Sequence, residues 1–539
     1  MEFTNPVISS YKSLISGFIK SVTEFPEKDA LFVQGKKYPY KVLFKKASAL
    51  VSLFPKIPLN EAKLIGVFAR RSLTAYTGVI ASLLSGSGYV PLNPTFPIDR
   101  TLKMIELSQI KTIIVDENAF KLLPVLISKL RNPITFIIPD NLDIELLSKI
   151  SDIHTYLPEI SSSRVVSQPS EPKVIESDIA YLLFTSGSTG VPKGVMVTHK
   201  NITHFLKVML DRFKFNSDDH FSQTFEMTFD LSVFDMFLCW SSGACLFSLP
   251  PRALMAPAKF IKTHSLTVWF AVPSIVRLMQ RMRMLKESSF PTLRYSLFCG
   301  EPLTYLAAEL WQKAANNSIL ENLYGPTEVT IACLFYRFDL GISKEIRHYK
   351  TVPIGEPNPG LAISIVDSNL NLVPQGESGE LCLSGPQVVP GYWYNEEKAA
   401  QQFVHMPWDT GYSDRWYRTG DLVKIGKDGM VHYIGRIDNQ VKILGYRVEL
   451  EEIEEVLRQF LGQDSVVALA WPVNSDTPVG IIAFIVETRF SDKDCIEYCA
   501  SKLPEYMVPR EIRFIKKMPL NSNGKINRSK LLSMLEQEK

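Results

Sequence analysis

The apolar and polar positions of residues 1 to about 180 fall into short runs whose period switches back and forth. Leu64–Ala69 is almost continuously apolar, the pattern of a buried strand. Leu73–Leu84 repeats its apolar residues at helical spacing and stops at Ser85-Gly86-Ser87-Gly88. Tyr89–Leu92 reads as a strand entering a proline-rich turn, Asn93-Pro94-Thr95-Phe96-Pro97, and Ile113–Val115 and Phe136–Ile138 are further β-branched runs. Strands alternating with helices predict a doubly wound α/β layer. Ser161–Ser177 is polar and contains prolines, and reads as a connector into a second α/β block. In that block Thr267–Val272 and Tyr295–Phe298 are the best buried strands.

From about residue 351 to 435 the pattern changes to short strands broken by Gly and Pro, which predicts a small β-rich lobe. After Gly435-Arg436-Ile437-Asp438 comes a last block with helices at Leu450–Phe460 and Asp492–Lys502. Its strands are Val466–Ala470, Gly480–Glu487 and Arg513–Ile515. Leu461-Gly462-Gln463-Asp464-Ser465 resembles the serine motif of carrier proteins. Its place between a charged amphipathic helix and an apolar strand makes it a helix-to-strand turn instead.

Composition changes this picture little. The 539 residues are 46% hydrophobic and 21% charged, which is globular, and the net charge of +3 gives no electrostatic case for nucleic acid. No apolar run reaches the length of a membrane span, and the start lacks the basic and apolar regions of a signal peptide. The seven cysteines form no CxxC pair, which argues against zinc and against a disulfide framework; Cys495 and Cys499 read as packing one helical turn apart. A soluble cytoplasmic protein is expected, with no membrane and no nucleic-acid partner.

Candidate chemistry concentrates in Tyr181–Asn201. A strand-like run, Tyr181–Phe184, leads into Thr185, Ser186, Gly187, Ser188, Thr189 and Gly190, followed by Lys193 and Gly194. Glycines let backbone N–H groups turn inward, hydroxyls donate further, and a lysine adds charge, so the loop suits a polyanion. It is not a Walker loop, because Pro192 precedes Lys193. Four more stretches stand out: Asn322-Leu323-Tyr324-Gly325-Pro326-Thr327-Glu328, Tyr417-Arg418-Thr419-Gly420-Asp421, Gln440–Glu451 and Asn521-Ser522-Asn523-Gly524-Lys525. An aromatic face beside a Gly-Pro turn can stack on a purine, and Asp421 can accept from two hydroxyls. Phe229-Asp230-Leu231-Ser232 puts a carboxylate in an apolar segment, where it needs a partner or caps the following helix.

In this order, from about residue 64 to 528, the stretches resemble the acyl-adenylate-forming superfamily, and Asp230 resembles its amino-acid-adenylating branch. The resemblance implies a large N-terminal domain, residues 1–437, of two doubly wound α/β subdomains plus the β-rich lobe. A small mobile α+β domain, residues 438–539, would carry the catalytic lysine and pivot at Asp438. It implies ATP held by Thr185, Ser186, Gly187, Ser188, Thr189, Gly190, Lys193, Asn322, Tyr324, Gly325, Thr327, Asp421 and Arg436. Lys525, Thr185 and Glu328 would be catalytic, with Mg²⁺ on Glu328. Gln440–Glu451 would enter the site after rotation, Gly445 allowing close approach.

Motif alignment with the family lines the amino-acid site with Asp230, Leu231, Phe234, Phe270, Leu297, Cys299, Leu323, Ile331 and Ala332. The expectation is activation of a small amino acid, L-proline first, and its transfer to the phosphopantetheine thiol of a separate carrier protein, since no carrier block is present. Phe229-Asp230-Leu231-Ser232 and Phe298-Cys299-Gly300-Glu301 also resemble D-alanine–carrier ligases, and an acyl- or aryl-CoA synthetase is the wider alternative.

Overall fold

The computed structural model describes residues 11–55, 63–140, 154–158, 168–187, 191–341, 350–409, 415–471, 480–520 and 526–537. The predicted elements form close to their expected bounds. Leu64–Phe68, Gly88–Leu92, Thr112–Val115 and Thr135–Ile138 are strands of one seven-stranded sheet. Leu73–Leu84 is the helix between the first two, capped by Ser72, whose hydroxyl accepts from the Ala75 N–H. In that sheet the order runs Thr155–Pro158, Thr135–Ile138, Thr112–Val115, Leu64–Phe68, Gly88–Leu92, Ile179–Thr185, Lys193–Thr198. The strands from Thr155–Pro158 through Ile179–Thr185 are parallel neighbours. The proposed connector, 161–177, lies partly outside the described residues.

The second α/β block is a nine-stranded sheet whose central strands, Cys245–Ser248, His220–Gln223, Val268–Ala271, Tyr295–Phe298 and Ile319–Tyr324, are parallel. Its two faces carry different apolar clusters. Phe270, Leu297, Cys299 and Leu323 join the larger core with Phe234. Trp269, Ala271, Phe298 and Leu320 face a second cluster with Phe260, Val276 and Trp311. This is the period-2 consequence of strand geometry: successive side chains leave opposite faces. The β-rich lobe is an antiparallel sheet of five strands, with Trp416–Ile425 pairing both Gly379–Ser384 and Val431–Arg436.

By contacts the chain divides into two units, the second made of residues 95–103, 185–193 and 438–539. This second unit has its own core, in which helix Leu450–Leu461 and helix Asp492–Lys502 cover the sheet Val466–Trp471, Gly480–Val486, Glu511–Ile515. Cys495 and Cys499 are both buried in it. Gly462 ends the first helix in the left-handed conformation, φ 66°, so Leu461–Ser465 is the helix-to-strand turn its context predicts.

Candidate functional site

In the first unit one group of expected residues forms a hydrogen-bonded wall. Asp421 and Arg436 are register partners on adjacent antiparallel strands, which sets their side chains across from each other. Arg436 Nη1 donates to Asp421 Oδ1 at 2.7 Å, and the Tyr324 hydroxyl donates to Asp421 Oδ2. Burial, and then the Asp421 charge, push the Tyr324 phenol well above its ordinary value, so it stays a donor. Asn322 is buried on the same strand as Tyr324. Its amide donates to the Pro353 carbonyl at 2.8 Å, a backbone use the motif does not reveal.

The turn after Tyr324 is unusually constrained. A Cβ at Gly325 would stand 2.7 Å from the Ala332 Cα, so only glycine fits. Thr327–Val329 forms a single 3₁₀ turn in which Glu328 is fully buried, with Tyr392 Oη donating to its Oε1 at 2.9 Å. Thr330 and Ile331 then take φ of 56° and 70°. For β-branched residues this left-handed region is a true outlier, costing on the order of 1–3 kcal/mol each. The Ala332 N–H donates to the Thr330 carbonyl at 2.9 Å, closing a three-residue γ-turn about Ile331.

A second group is almost wholly apolar. Phe270 and Leu297 are register partners, Cys299 lies two residues beyond Leu297, and their sheet face is covered by helix Leu231–Ser241. Phe234 of that helix meets Phe270 with ring centroids 4.5 Å apart. Leu231, Phe234, Phe270, Leu297, Cys299, Leu323, Ile331 and Ala332 are all buried in one cluster. Phe225, absent from the motif-based lining, adds a third ring 5.0 Å from Phe270. It sits just outside the quoted stretches, so only packing exposes it.

Asp230 stands at the head of this group, buried, at the N-cap position of helix Leu231–Ser241. It takes helical backbone angles, and its side chain makes no capping hydrogen bond. The capping alternative is therefore removed. Tyr89 and Tyr181, register partners with ring centroids 5.8 Å apart, are fully buried, and burial followed by the Asp230 charge pushes both phenols upward.

In the second unit the described part of the Gly/Ser/Thr-rich loop after Phe184 is engaged by the protein's own carboxylates and backbone. Ser186 Oγ donates to the Arg447 carbonyl at 2.9 Å, and the Gly187 N–H donates to Glu452 Oε2 at 3.3 Å. Lys193 Nζ lies 3.4 Å from Glu449 Oε1, and Arg100 Nη1 donates to Glu452 Oε1 at 2.6 Å. A Cβ at Gly187 would meet the Val191 carbonyl at 2.0 Å, which explains that glycine. Thr185 Oγ1 is buried with no hydrogen-bond partner, an orphan donor of the kind an anion satisfies. Gln440–Ile443 and Tyr446–Glu449 form a hairpin around Leu444 and Gly445, both at positive φ, 51° and 84°. Asp438 lies in the short connector before it, its Oδ1 accepting from the Gln440 N–H at 3.1 Å. Ser188, Thr189, Gly190 and Lys525 lie outside the described residues.

Mg²⁺ is the metal to test against these residues. One buried carboxylate, Glu328, fits this ion: together with the phosphate oxygens of a bound nucleotide it would make a donor set that Mg²⁺ accepts, since Mg²⁺ does not require an all-protein cage. Among the described residues no cluster of three His, Cys, Asp or Glu residues could hold an ion unaided, and no helix is long and apolar enough to cross a membrane.

With this geometry in place, comparison with known proteins gives a consistent answer. The AMP-binding enzyme family matches residues 18–393, and the AMP-binding enzyme C-terminal domain matches residues 452–525. The chain belongs to the AMP-binding enzyme family, and it resembles adenylation domains of the nonribosomal peptide synthetase type. Gramicidin S synthase 1 of Brevibacillus brevis is 29% identical over 523 residues, 96% of this chain and 44% of that protein. The chain thus spans less than half the length of this curated relative.

The adenylation domain AlmE of Vibrio cholerae, solved with glycyl-adenosine-5'-phosphate, is 30% identical with a TM-score of 0.85, covering 98% of both chains. PA1221, solved with adenylation and PCP domains, shares the fold at 20% identity and a TM-score of 0.76, covering 98% of this chain and 85% of that one. The architecture is the α/β adenylation fold with a large N-terminal domain, a β lobe and a small C-terminal domain. Use of ATP follows from the family.

Proposed function

We propose that the protein activates a small, uncharged amino acid with ATP and passes the acyl group to the pantetheine thiol of a carrier protein. The observation that carries this reading is Asp230: a buried carboxylate, released from capping, heading a group that is otherwise apolar. A carboxylate there suits an α-ammonium group, and the apolar remainder rejects a charged or strongly hydrogen-bonding side chain, which would go unpaired.

In the first step a carboxylate oxygen of the amino acid attacks the α-phosphorus of ATP. The bond to the bridging oxygen breaks, and pyrophosphate leaves. In the second, the carrier thiolate attacks the acyl carbon and AMP leaves. Asp421 takes the ribose hydroxyls, Tyr324 presents a face to adenine, with Asn322 at its edge, and Thr185, Ser186, Lys193 and Thr327 meet the phosphates. Mg²⁺ held by Glu328 and phosphate oxygens would neutralise charge on the leaving group. Residues 1–437 bind the nucleotide and amino acid. Residues 438–539 turn about Asp438 and carry Lys525, which bridges substrate carboxylate and nucleotide.

For the amino acid we propose L-proline: Phe234 and Phe270 offer aromatic faces for a ring of CH₂ groups, and bulky aliphatics leave little depth. Glycine is a second reading, favoured by the glycyl adenylate in the related AlmE structure. ATP–pyrophosphate exchange with L-proline, glycine, D-alanine, L-alanine and L-valine, beside hexanoate and benzoate, tests both. Preference for a charged amino acid would remove the pocket reading. Preference for hexanoate or benzoate would move the enzyme to the acyl- or aryl-CoA synthetases.

A further inference from the structure

We propose that Gln387 is a positioning residue that fixes the amino-acid selectivity of the enzyme by clamping the strained turn between Gly325 and Cys333. The proposal rests on the adenylation reading above.

This turn belongs to both halves of the site. Thr327 and Glu328 are at its start and Ile331 and Ala332 at its end. Its backbone holds two β-branched residues at positive φ, a conformation that persists only where its surroundings over-determine it. The turn's own hydrogen bond from the Ala332 N–H to the Thr330 carbonyl leaves other carbonyls of the segment to be satisfied from elsewhere.

Gln387 supplies what is needed. It lies in the segment after strand Gly379–Ser384 and is fully buried. Its Nε2 sits 2.9 Å from the Ala332 carbonyl, 3.2 Å from that of Val329 and 3.3 Å from that of Thr330, so a single amide spans the strained pair. In return, Thr330 Oγ1 donates to the Gln387 carbonyl at 2.6 Å. Asn358 sets the amide's orientation: its Nδ2 donates to Gln387 Oε1 at 3.0 Å and to the Ala332 carbonyl at 2.8 Å. With Oε1 fixed as the acceptor, Nε2 has to face the turn. A residue with one donor, or a shorter amide, does not reach three carbonyls. Relaxation of the turn would move Ile331 and Ala332 outward from the apolar group and change which side chain fits.

The test compares wild type with Gln387→Met and Gln387→Glu in ATP–pyrophosphate exchange. Both variants keep the chain length, and neither can donate as the amide does. Both are checked for a cooperative melt. The readout is the ratio of kcat/KM between the best substrate of the panel above and the next larger one, because a ratio is independent of how much enzyme is folded. The expected result is a shift of that ratio by tenfold or more in both variants, with Asn358→Asp giving a smaller shift in the same direction. Equal losses for all substrates, leaving the ratio unchanged, would overturn the proposal and leave Gln387 a purely structural residue. The ratio is read on whichever acids the wild type exchanges, so a wild type that prefers hexanoate or benzoate refutes the amino-acid reading while the shift of the ratio still decides the clamp.

Discussion

The wall around Asp421 and the group around Asp230 solve opposite problems with the same side chain. Asp421 is held by Arg436 and by Tyr324 from within the protein, so its carboxylate is oriented before any ligand arrives. Asp230 heads a set of aromatic and aliphatic side chains, and its helix start does not use it as a cap. The first arrangement suits a ligand that is always the same, a nucleotide; preorganised polar groups lose little on binding. The second suits a ligand whose identity is set by shape, since apolar contacts are non-directional and answer only to volume. Both arrangements meet in one turn, Gly325 to Cys333, where two adjacent β-branched residues take positive φ.

The sharpest way to break this contrast is Asp230→Asn. Removing the charge should lower kcat/KM for the amino acid by about 10²–10³-fold, the order of 3–4 kcal/mol for a lost buried charge pair, with KM for ATP nearly unchanged. Equal damage to ATP binding would show the two groups to be one. Phe270→Ala should destabilise the protein by about 3 kcal/mol in urea unfolding, because it leaves a cavity beside Phe234 and Phe225. In the protein that remains folded, exchange should tilt toward longer aliphatic amino acids; a tilt toward smaller ones contradicts the assignment.

Acid sharpens the comparison differently. His199 is buried and accepts the Leu14 N–H at Nδ1, 3.1 Å, and burial pushes it down to about 4. Its folded value lies below the unfolded value of about 6.5, so between these the unfolded chain binds the extra proton. Stability is therefore complete above pH about 6.5 and declines as pH falls toward 4, by at most about 3 kcal/mol from this group. Melting followed from pH 7 to 4 should show that decline, and His199→Gln should flatten it. Both ligands should be lost together, since His199 serves the shared core. The smallest effect is expected for Tyr324→Phe, which removes one donor to Asp421 and should raise KM for ATP by roughly fivefold, about 1 kcal/mol, without altering amino-acid preference.

Much of this was legible in the chain. Strand and helix bounds such as Leu73–Leu84 and Tyr295–Phe298 follow from periodicity, because burial on one face imposes a period of 3.6 or 2. Asp421, Tyr324 and Asp230 stood out because polar groups at marked spacings in apolar or glycine-bearing runs need a reason to be there. The sequence was silent on Phe225, which reaches Phe270 through a loop, and on Asn322, whose amide serves the backbone of Pro353. It was equally silent on Glu449 and Glu452 as partners of Lys193 and Gly187, and on the bond from Gln387 to a turn more than fifty residues away. By itself the chain determined the elements, the nucleotide-type motifs and the charge at Asp230, all local properties of spacing and residue type. Only the tertiary structure decided which carbonyls of a strained turn are satisfied, and by whom. That depends on segments distant in sequence, and buried backbone groups accept whatever donor the fold delivers to them.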